Sequence, residues 1–510
     1  FVFDLQADGE FLPLVWLDES HINNDRTTFG MPSYVGDPIR SSDHPGAQEG
    51  ITCMGAVLGA TLVGIDKSRT EHDYVRMCEA WFNSSNGVNL VLNLQRQETG
   101  GSFWYEIWPH VVFYALADRY PDKPRLAEIM HITADRWCQG GRDLAGPDGV
   151  PDFDHTSYNF RTRQPVDNGR WKEPDAAAGV AWLQYAAWVN FQEPEHLAMA
   201  ESCLRFLESR AENPYYEVLL PYGTLVATRL NAELDRDYDV DRLLNWCFGI
   251  SDCRGGWGVM VGRWGNYDCD GLVGSIDNRG GYAFAMSTFA QAAALVPLVR
   301  YDPRYARAIG KWMLNLSNSA RLFYPGELPP PHQTSAFWQG DPQRVIACEG
   351  LRHHWQGKSP CATGDPIAMN WGPKTDLGPV GSGYVGMLGS FARPHRRAIY
   401  PATGLPSHGL FSFRSLSDLS LLQSLPESSF VPARHRLCTR RLVRRSDAPL
   451  SGKQRLQTSE RHAASRLRGV VCRYSGWRSV DSCGQTYAGR RRRDRLAKLN
   501  YRGNHGLMGA

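Results

Sequence analysis

Residues 175–191 read DAAAGVAWLQYAAWVNF, and residues 195–211 read EHLAMAESCLRFLESRA. After Asp175 the first segment carries no charge, and Ala and Gly crowd its start. The second mixes Leu197, Leu204, Phe206 and Leu207 with charged residues. A helix that is apolar all round is enclosed by protein, whereas an amphipathic one keeps a wet face. This pair therefore reads as an inner helix followed by an outer one.

The same alternation recurs along the chain. Ile51–Ile65 precedes Arg69–Asn83, Phe103–Tyr120 precedes Arg125–Cys138, and Glu217–Leu234 precedes Val240–Phe248. Gly280–Val299 precedes Pro303–Leu316, and Val380–Ala392 begins a sixth pair. The inner segments start near 51, 103, 175, 217, 280 and 380, without the constant period that a solenoid of stacked repeats needs. Gly280–Val299 is free of charge throughout, which raises a membrane span, but Ser287, Thr288, Gln291 and Pro297 fit a buried core helix better. Residues 1–50 lack helical period and are expected to add strands or a flap. Three connections are long: Gly140–Lys172, Ile250–Arg279 and Phe323–Pro379. Long ordered connections in compact domains usually carry function.

Composition bounds the reading. With 510 residues, 42% hydrophobic and 21% charged, the chain can bury a large core, so wholesale disorder is excluded. The 50 Gly and 31 Pro follow no triplet period, which excludes a collagen-like repeat. Residues 396–510 hold 21 Arg and 2 Lys against 6 Asp and Glu, so the overall charge of +3 joins an acidic body to a very basic tail. The Arg- and Ser-rich texture from residue 394 onward reads as translation in a shifted frame rather than as a nucleic-acid-binding arm. The sixth hairpin would then lack its outer helix. A nucleic-acid partner is expected only if the tail is genuine. The nine Cys before residue 394 are scattered, with no CxxC pair, and read as small buried hydrophobes. No phosphate loop, dinucleotide fingerprint or nucleophile elbow is present before residue 394.

The alternation resembles the (α/α)6 toroid, the six-hairpin fold of many carbohydrate-active enzymes, and is similar above all to glycosidases of the unsaturated glucuronyl hydrolase type. The expected fold is all-α: an irregular segment over 1–50, a helical toroid over 51–393 with an incomplete sixth hairpin, and an aberrant tail over 394–510. The resemblance implies a glycoside hydrolase acting on an acidic, uronate-containing oligo- or polysaccharide at the mouth of a central funnel. It implies a carbohydrate partner, no membrane partner, and a secreted or periplasmic setting in a bacterium. The alternatives are a polysaccharide lyase and a non-catalytic glycan-binding toroid.

Glycoside hydrolysis needs two carboxyl groups. Trp171-Lys172-Glu173-Pro174-Asp175 offers Glu173 or Asp175 on one side, though an Asp ahead of an Ala run is also an ordinary N-cap. Asp268 or Asp277 would stand on the other side. Asp277 also suits a cap for the helix after it, and Asp268-Cys269-Asp270-Gly271 is a fragment of a calcium loop, enough to raise a structural calcium but no other cofactor. Glu106, among Trp104, Tyr105 and Trp108, is either a salt-bridged core residue or a rim residue. Trp104, Trp171, Trp257 and Trp264 are candidates to stack on sugar rings. Arg279, His155 and His354 are candidates to bind an acidic sugar, and Glu106, Tyr158 and Glu349 are further substrate-binding candidates. Tyr158 or His155 with Arg161 or Arg279 would serve a lyase as base and carboxylate clamp. The adjacent His353 and His354 point apart on any helix, so no metal is expected there.

Overall fold

In a computed structural model, the chain is described at residues 1–37, 48–277 and 281–391. It divides into two compact units, residues 1–229 with 237–425 and residues 230–236 with 426–510. Of the second unit only 230–236, which carries the end of one helix, is described. The basic tail, and with it the reading of residues 394–510, lies outside the described residues.

The structure is mainly helical. The helices are α1 (Gly50–Leu62), α2 (Tyr74–Met77), α3 (Phe103–Arg119), α4 (Pro124–Leu144), α5 (Ala176–Phe191), α6 (Pro194–Ser209), α7 (Leu219–Leu234), α8 (Val240–Phe248), α9 (Ala285–Leu298), α10 (Ala306–Ser319), α11 (Pro342–Val345), α12 (Asp365–Met369), α13 (Pro379–Ser382) and α14 (Val385–Gly389). The apolar segments follow the expected pattern. Every residue of α9 is buried, as are the first twelve of α5. In α4 and α10 one face is buried and the other is wet. Arg69–Asn83 departs from its expected single helix: it yields only α2 and one 3-10 turn over Cys78–Trp81. No helix among the described residues is long and apolar enough to cross a membrane.

The all-α expectation is corrected in the long connections. They hold strands β3 (Ser157–Asn159), β4 (Gln164–Val166), β5 (Trp257–Val259), β6 (Arg263–Trp264), β7 (Tyr267–Asp268), β8 (Val273–Ser275), β10 (Gly350–Arg352) and β11 (Cys361–Ala362); β9 (Tyr282–Phe284) opens a segment expected to be helical, and β1 (Trp16–Asp18) and β2 (Thr28–Gly30) lie near the N-terminus. Five of them form one antiparallel sheet in the order β11-β10-β9-β8-β5, and the others form two-stranded hairpins. Runs of two or three residues carry too few positions for an alternating pattern to show. Gly280–Val299 is accordingly divided between β9 and α9. The N-terminal strands β1 and β2 pair, as the absence of helical period there suggested. Val35 donates its N–H to the Leu377 carbonyl, and Leu14 and Val35 pack with Trp338, Ile346 and Leu377.

The apolar helices touch in sequence order. α1 lies on α3, and α3 on α5. Gly179 of α5 fits between Ile107 of α3 and Leu219 of α7, and Gly223 of α7 sits against Ala178. Tyr222 of α7 donates its hydroxyl to the Ala290 carbonyl of α9, and α9 packs against α13 and α14. The last of these reach back to α1. A Cβ on Gly59 would fall 1.9 Å from the Gly383 carbonyl oxygen, and one on Gly386 would fall 2.4 Å from that of Gly59. Between these helices the rings of Tyr384, Trp108, Tyr222 and Trp182 succeed one another at 5.5–5.7 Å. The amphipathic α4, α6 and α10 pack outside: α4 on α3 and α5, α6 on α5, and α10 on α9.

A methyl group has no room at Gly59, and the atom that it meets is backbone. Gly59→Val is expected to destabilise the protein by about 3 kcal/mol, toward the upper end of overpacking costs. A thermal midpoint unchanged in Gly59→Val would refute the close approach of α1 to residues 383–386.

Candidate functional site

Acids stand at the N-terminal ends of the apolar helices. Glu49 immediately precedes α1, Tyr105 and Glu106 lie in the first turn of α3, and Glu173 and Asp175 precede α5. Glu217 precedes α7, and the Glu349 carbonyl accepts the N–H of Ala285, the first residue of α9. A helix N-terminus favours negative charge.

The carboxyl groups differ in what holds them. Glu173 is fully buried. One oxygen accepts the Trp104 N–H at 2.9 Å and the other takes Arg254 Nη1 at 2.9 Å. Burial pushes its pKa up, and Arg254 opposes that. Asp175 does not cap α5 with its side chain: its Oδ2 accepts the Tyr216 N–H at 3.0 Å, and its buried Oδ1 has no hydrogen-bond partner among the described residues. Burial raises it far above the usual carboxylate range, and Glu173 and Glu217 add to this.

Glu106 is neither salt-bridged nor at a rim. It is fully buried and accepts the N–H groups of Gly100 and Tyr158 at 3.1 Å each. Burial raises it to about 8. Glu349 is buried and takes the hydroxyls of Tyr34 and Tyr282 at 2.5 Å and the Asp365 N–H at 2.6 Å. Burial followed by Asp365 places it at about 7.

Glu217 is only half-buried, and its backbone is left-handed, with φ 52°. Burial raises its carboxyl to about 7, with Arg254 acting against the shift and Glu173 and Glu349 adding to it. A left-handed Glu is strained by about 1 kcal/mol or more, and such positions cluster at functional sites. Glu49, also half-buried, accepts from Ser33 and, at 2.9 Å, from Asn93 Nδ2; burial raises its pKa.

Two groups join these acids. Tyr105 is 40% exposed, and its phenol is pushed far above the usual value by burial and then by the charges of Glu49, Glu217 and Glu349, which Arg254 partly offsets. Arg254 is held between two aromatic faces, 4.2 Å from the Trp171 ring centroid and 4.4 Å from that of Tyr216. About a third of its side chain remains open (33%). Trp104 lies edge-on to Tyr105 at 4.8 Å, and Trp257 edge-on to Tyr216 at 5.6 Å. The indole N–H groups of Trp104 and Trp171 have no hydrogen-bond partner among the described residues.

Several expected residues lie elsewhere or are engaged. Asp268 is exposed on the β6–β7 hairpin and pairs with Arg263 at 3.3 Å, while Asp270 accepts the Gly262 N–H at 2.5 Å. Both serve that turn rather than a calcium loop. Trp264 is buried and stacks on His353 at 5.1 Å, which stacks in turn on His354. Tyr158 gives its hydroxyl to Asp143, which also binds Arg163, and cannot act as a free base. His155 pairs with Asp167 at 3.0 Å, and the exposed Arg161 pairs with Glu98 at 2.7 Å. Asp277 is exposed beside Gly256, two residues from Arg254, and β9 separates it from α9, which it therefore does not cap. Arg279 lies outside the described residues.

The structure thus gathers Glu173, Asp175, Trp104, Trp171, Trp257 and Glu349, and adds Glu49, Tyr105, Tyr216, Glu217 and Arg254, which were not singled out from sequence. Glu49 and Glu217 each stand just before an apolar segment, which is the signal that would have found them. No protein-family model matches the chain, and no curated protein matches it.

Removing the cation from the Glu173–Arg254 pair leaves a buried carboxylate unpaired. Arg254→Met is expected to cost about 3 kcal/mol. Adding Glu173→Gln to Arg254→Met should recover part of that loss in a double-mutant cycle. Additive losses in denaturant unfolding would show that the pair is not coupled.

Proposed function

We propose that the chain is a glycoside hydrolase for an acidic, uronate-bearing carbohydrate. Its scaffold in this reading is a six-hairpin toroid, with α1, α3, α5, α7, α9 and residues 379–389 as the inner segments. The observation that carries the proposal is Glu217: a half-buried carboxyl at about 7 on a left-handed backbone, beside an arginine gripped by two aromatic rings.

A general acid works best when its pKa lies near the working pH. Glu217 meets that condition while remaining accessible, whereas Asp175 and Glu106 are sealed. Glu217 protonates the glycosidic oxygen. Glu49 is the partner carboxylate: donors from Ser33 and Asn93 favour its ionised form, which stabilises the positive charge developing at the sugar carbon or activates water. Arg254 uses one of its five N–H groups on Glu173 and offers others to a uronate carboxylate. Trp171 and Trp104 supply aromatic surface and indole N–H groups for the sugar.

A lyase would need a base for the proton at the uronate C5. Tyr105 is the tyrosine at this site, but neighbouring carboxylates make its phenolate costly. Tyr158 is committed to Asp143. Both observations favour hydrolysis.

With uronate-containing oligosaccharides, reducing ends should appear without the ultraviolet absorbance of a new double bond. Glu217→Gln should lower the rate by roughly 10³-fold, within the range for loss of general-acid catalysis, and leave the circular dichroism unchanged. The acid must carry its proton, so the rate of the parent should fall as pH rises through about 7. An ultraviolet-absorbing product would turn the reading to a lyase, and tight glycan binding with no turnover would turn it to a binding protein.

A further inference from the structure

A second cluster lies where α4 meets the start of α6 and shares no residue with the acids above. His131 and Asp135 are one turn apart on α4 and so occupy one face. Glu193 immediately precedes α6, and His196 lies in its first turn. His131 Nε2 is 3.0 Å from both oxygens of Glu193. His196 Nε2 is 3.1 Å from Glu193 Oε2 and 3.6 Å from Asp135 Oδ1. One ligand atom from each of the four residues falls within 4.8 Å of all the others.

The state of His196 makes this more than a group of polar side chains. Its side chain is fully buried. Gln184 donates its amide to the Ala134 carbonyl at 2.8 Å, which turns Gln184 Oε1 toward His196 Nδ1, also at 2.8 Å. Nδ1 therefore carries a hydrogen. In the neutral ring Nε2 then bears a lone pair, and among the described residues it has no hydrogen bond of good geometry, although the carboxylates of Glu193 and Asp135 face it at 3.1 and 3.6 Å. A lone pair set against carboxylate oxygens is repulsive. A cation between Nε2 and the carboxylates removes the conflict.

We propose that His131, Asp135, Glu193 and His196 bind one divalent transition-metal ion, zinc by preference, and thereby tie α4 to α6. Zinc bonds to nitrogen and oxygen are about 2.0–2.2 Å, which places the ligand atoms of a tetrahedral site about 3.3 Å apart. The shortest separations, 3.0–3.6 Å, bracket that value, and the widest, up to 4.8 Å, close as the side chains turn toward the ion. Two imidazoles with carboxylates suit zinc, cobalt or nickel rather than calcium or magnesium. Gln184 is the outer partner that fixes the tautomer and direction of His196. Four protein ligands leave no open position, so the ion is structural. Asp135, exposed to solvent, marks the side from which the ion enters.

The test uses the full chain without an affinity tag, stripped with chelator and desalted, and titrated with Co²⁺ and then Zn²⁺. One Co²⁺ per chain with the visible spectrum of a tetrahedral site, displaced by Zn²⁺, is expected. The thermal midpoint should rise by about 4 °C at a hundredfold excess of Zn²⁺ over its Kd. His196 is buried and its replacement endangers folding, so the decisive variants are His131→Gln and Asp135→Asn at the more exposed positions. His131→Gln should weaken Zn²⁺ binding about 100-fold and Asp135→Asn about 10-fold, with circular dichroism unchanged. No binding at 100 µM Zn²⁺, equal affinity in the variants, or a thiolate charge-transfer band on Co²⁺ addition would each overturn the proposal.

Discussion

The contact on which the arrangement depends is backbone against backbone: Gly59 of α1 with Gly383 and Gly386 beside it. It joins the first apolar helix to the last described one, across more than 300 residues of chain. Its strength comes from the absence of side chains, since a Cβ on Gly59 would stand 1.9 Å from a carbonyl oxygen. Close approach there lets Tyr384 reach the Ile51 carbonyl with its hydroxyl at 2.9 Å and lie 5.7 Å from Trp108. Trp108 in turn meets Tyr222, and Tyr222 meets Trp182. Glycines on the outside of this aromatic column and large rings within it are two parts of one packing solution. The small residues bring helices together, and the rings fill what remains between them.

The same arrangement brings acids together at a cost. Each apolar helix begins beside a carboxyl group, and burial raises the pKa of every one of these groups. Their partners differ. Glu173 has a cation, Glu106 has two backbone N–H groups, and Glu349 has two phenols and a backbone N–H. Donors of this kind favour the ionised form and hold a carboxyl in place. The site is therefore not a uniform pool of negative charge. Among these anchored carboxyls stands Glu217, on which burial acts first, then the Tyr216 hydroxyl as a hydrogen-bond donor, and then the charges of Arg254, Glu173 and Glu349.

What could be read from the sequence follows from length. Segments of ten or more residues show whether charge is absent or confined to one face, and α3, α4, α5, α6, α9 and α10 appear close to their expected positions. Strands of two or three residues show nothing comparable, so the five-stranded sheet was hidden, four of its strands in stretches that read only as long loops and β9 at the start of a segment that read as helix. Glu173 and Asp175, singled out as candidate catalytic carboxyls, stand beside other acids, because an acid ahead of an apolar helix is carried to the N-terminal end of that helix. Asp268 failed for a local reason: an acid in a Gly- and Asn-rich stretch serves its own turn, here with Arg263 across a hairpin. Arg254 had no signal at all, since its neighbours in sequence are Cys253 and Gly255 while its neighbours in space are Trp171, Glu173 and Tyr216. The histidine cluster was hidden likewise, its two pairs of residues being too far apart in sequence for any ligand spacing to show.

Asp175 has a part in this that differs from a proton donor's. Its Oδ2 holds the N–H of Tyr216, and the hydroxyl of Tyr215 lies 2.8 Å from the Glu217 carbonyl and 2.5 Å from Gln291 of α9. The Val218 N–H returns to the Tyr216 carbonyl at 2.7 Å, closing a tight turn around Glu217. The backbone of Glu217 is thus gripped from α5 on one side and α9 on the other. A non-glycine residue with φ near 52° would relax if those contacts were absent. That they are present, and made by buried groups, argues that the fold spends stability to aim one carboxyl in one direction. The sealed Asp175 and the half-open Glu217 thus differ in what they do for the fold: one carboxyl sets the backbone, and the other is held by it.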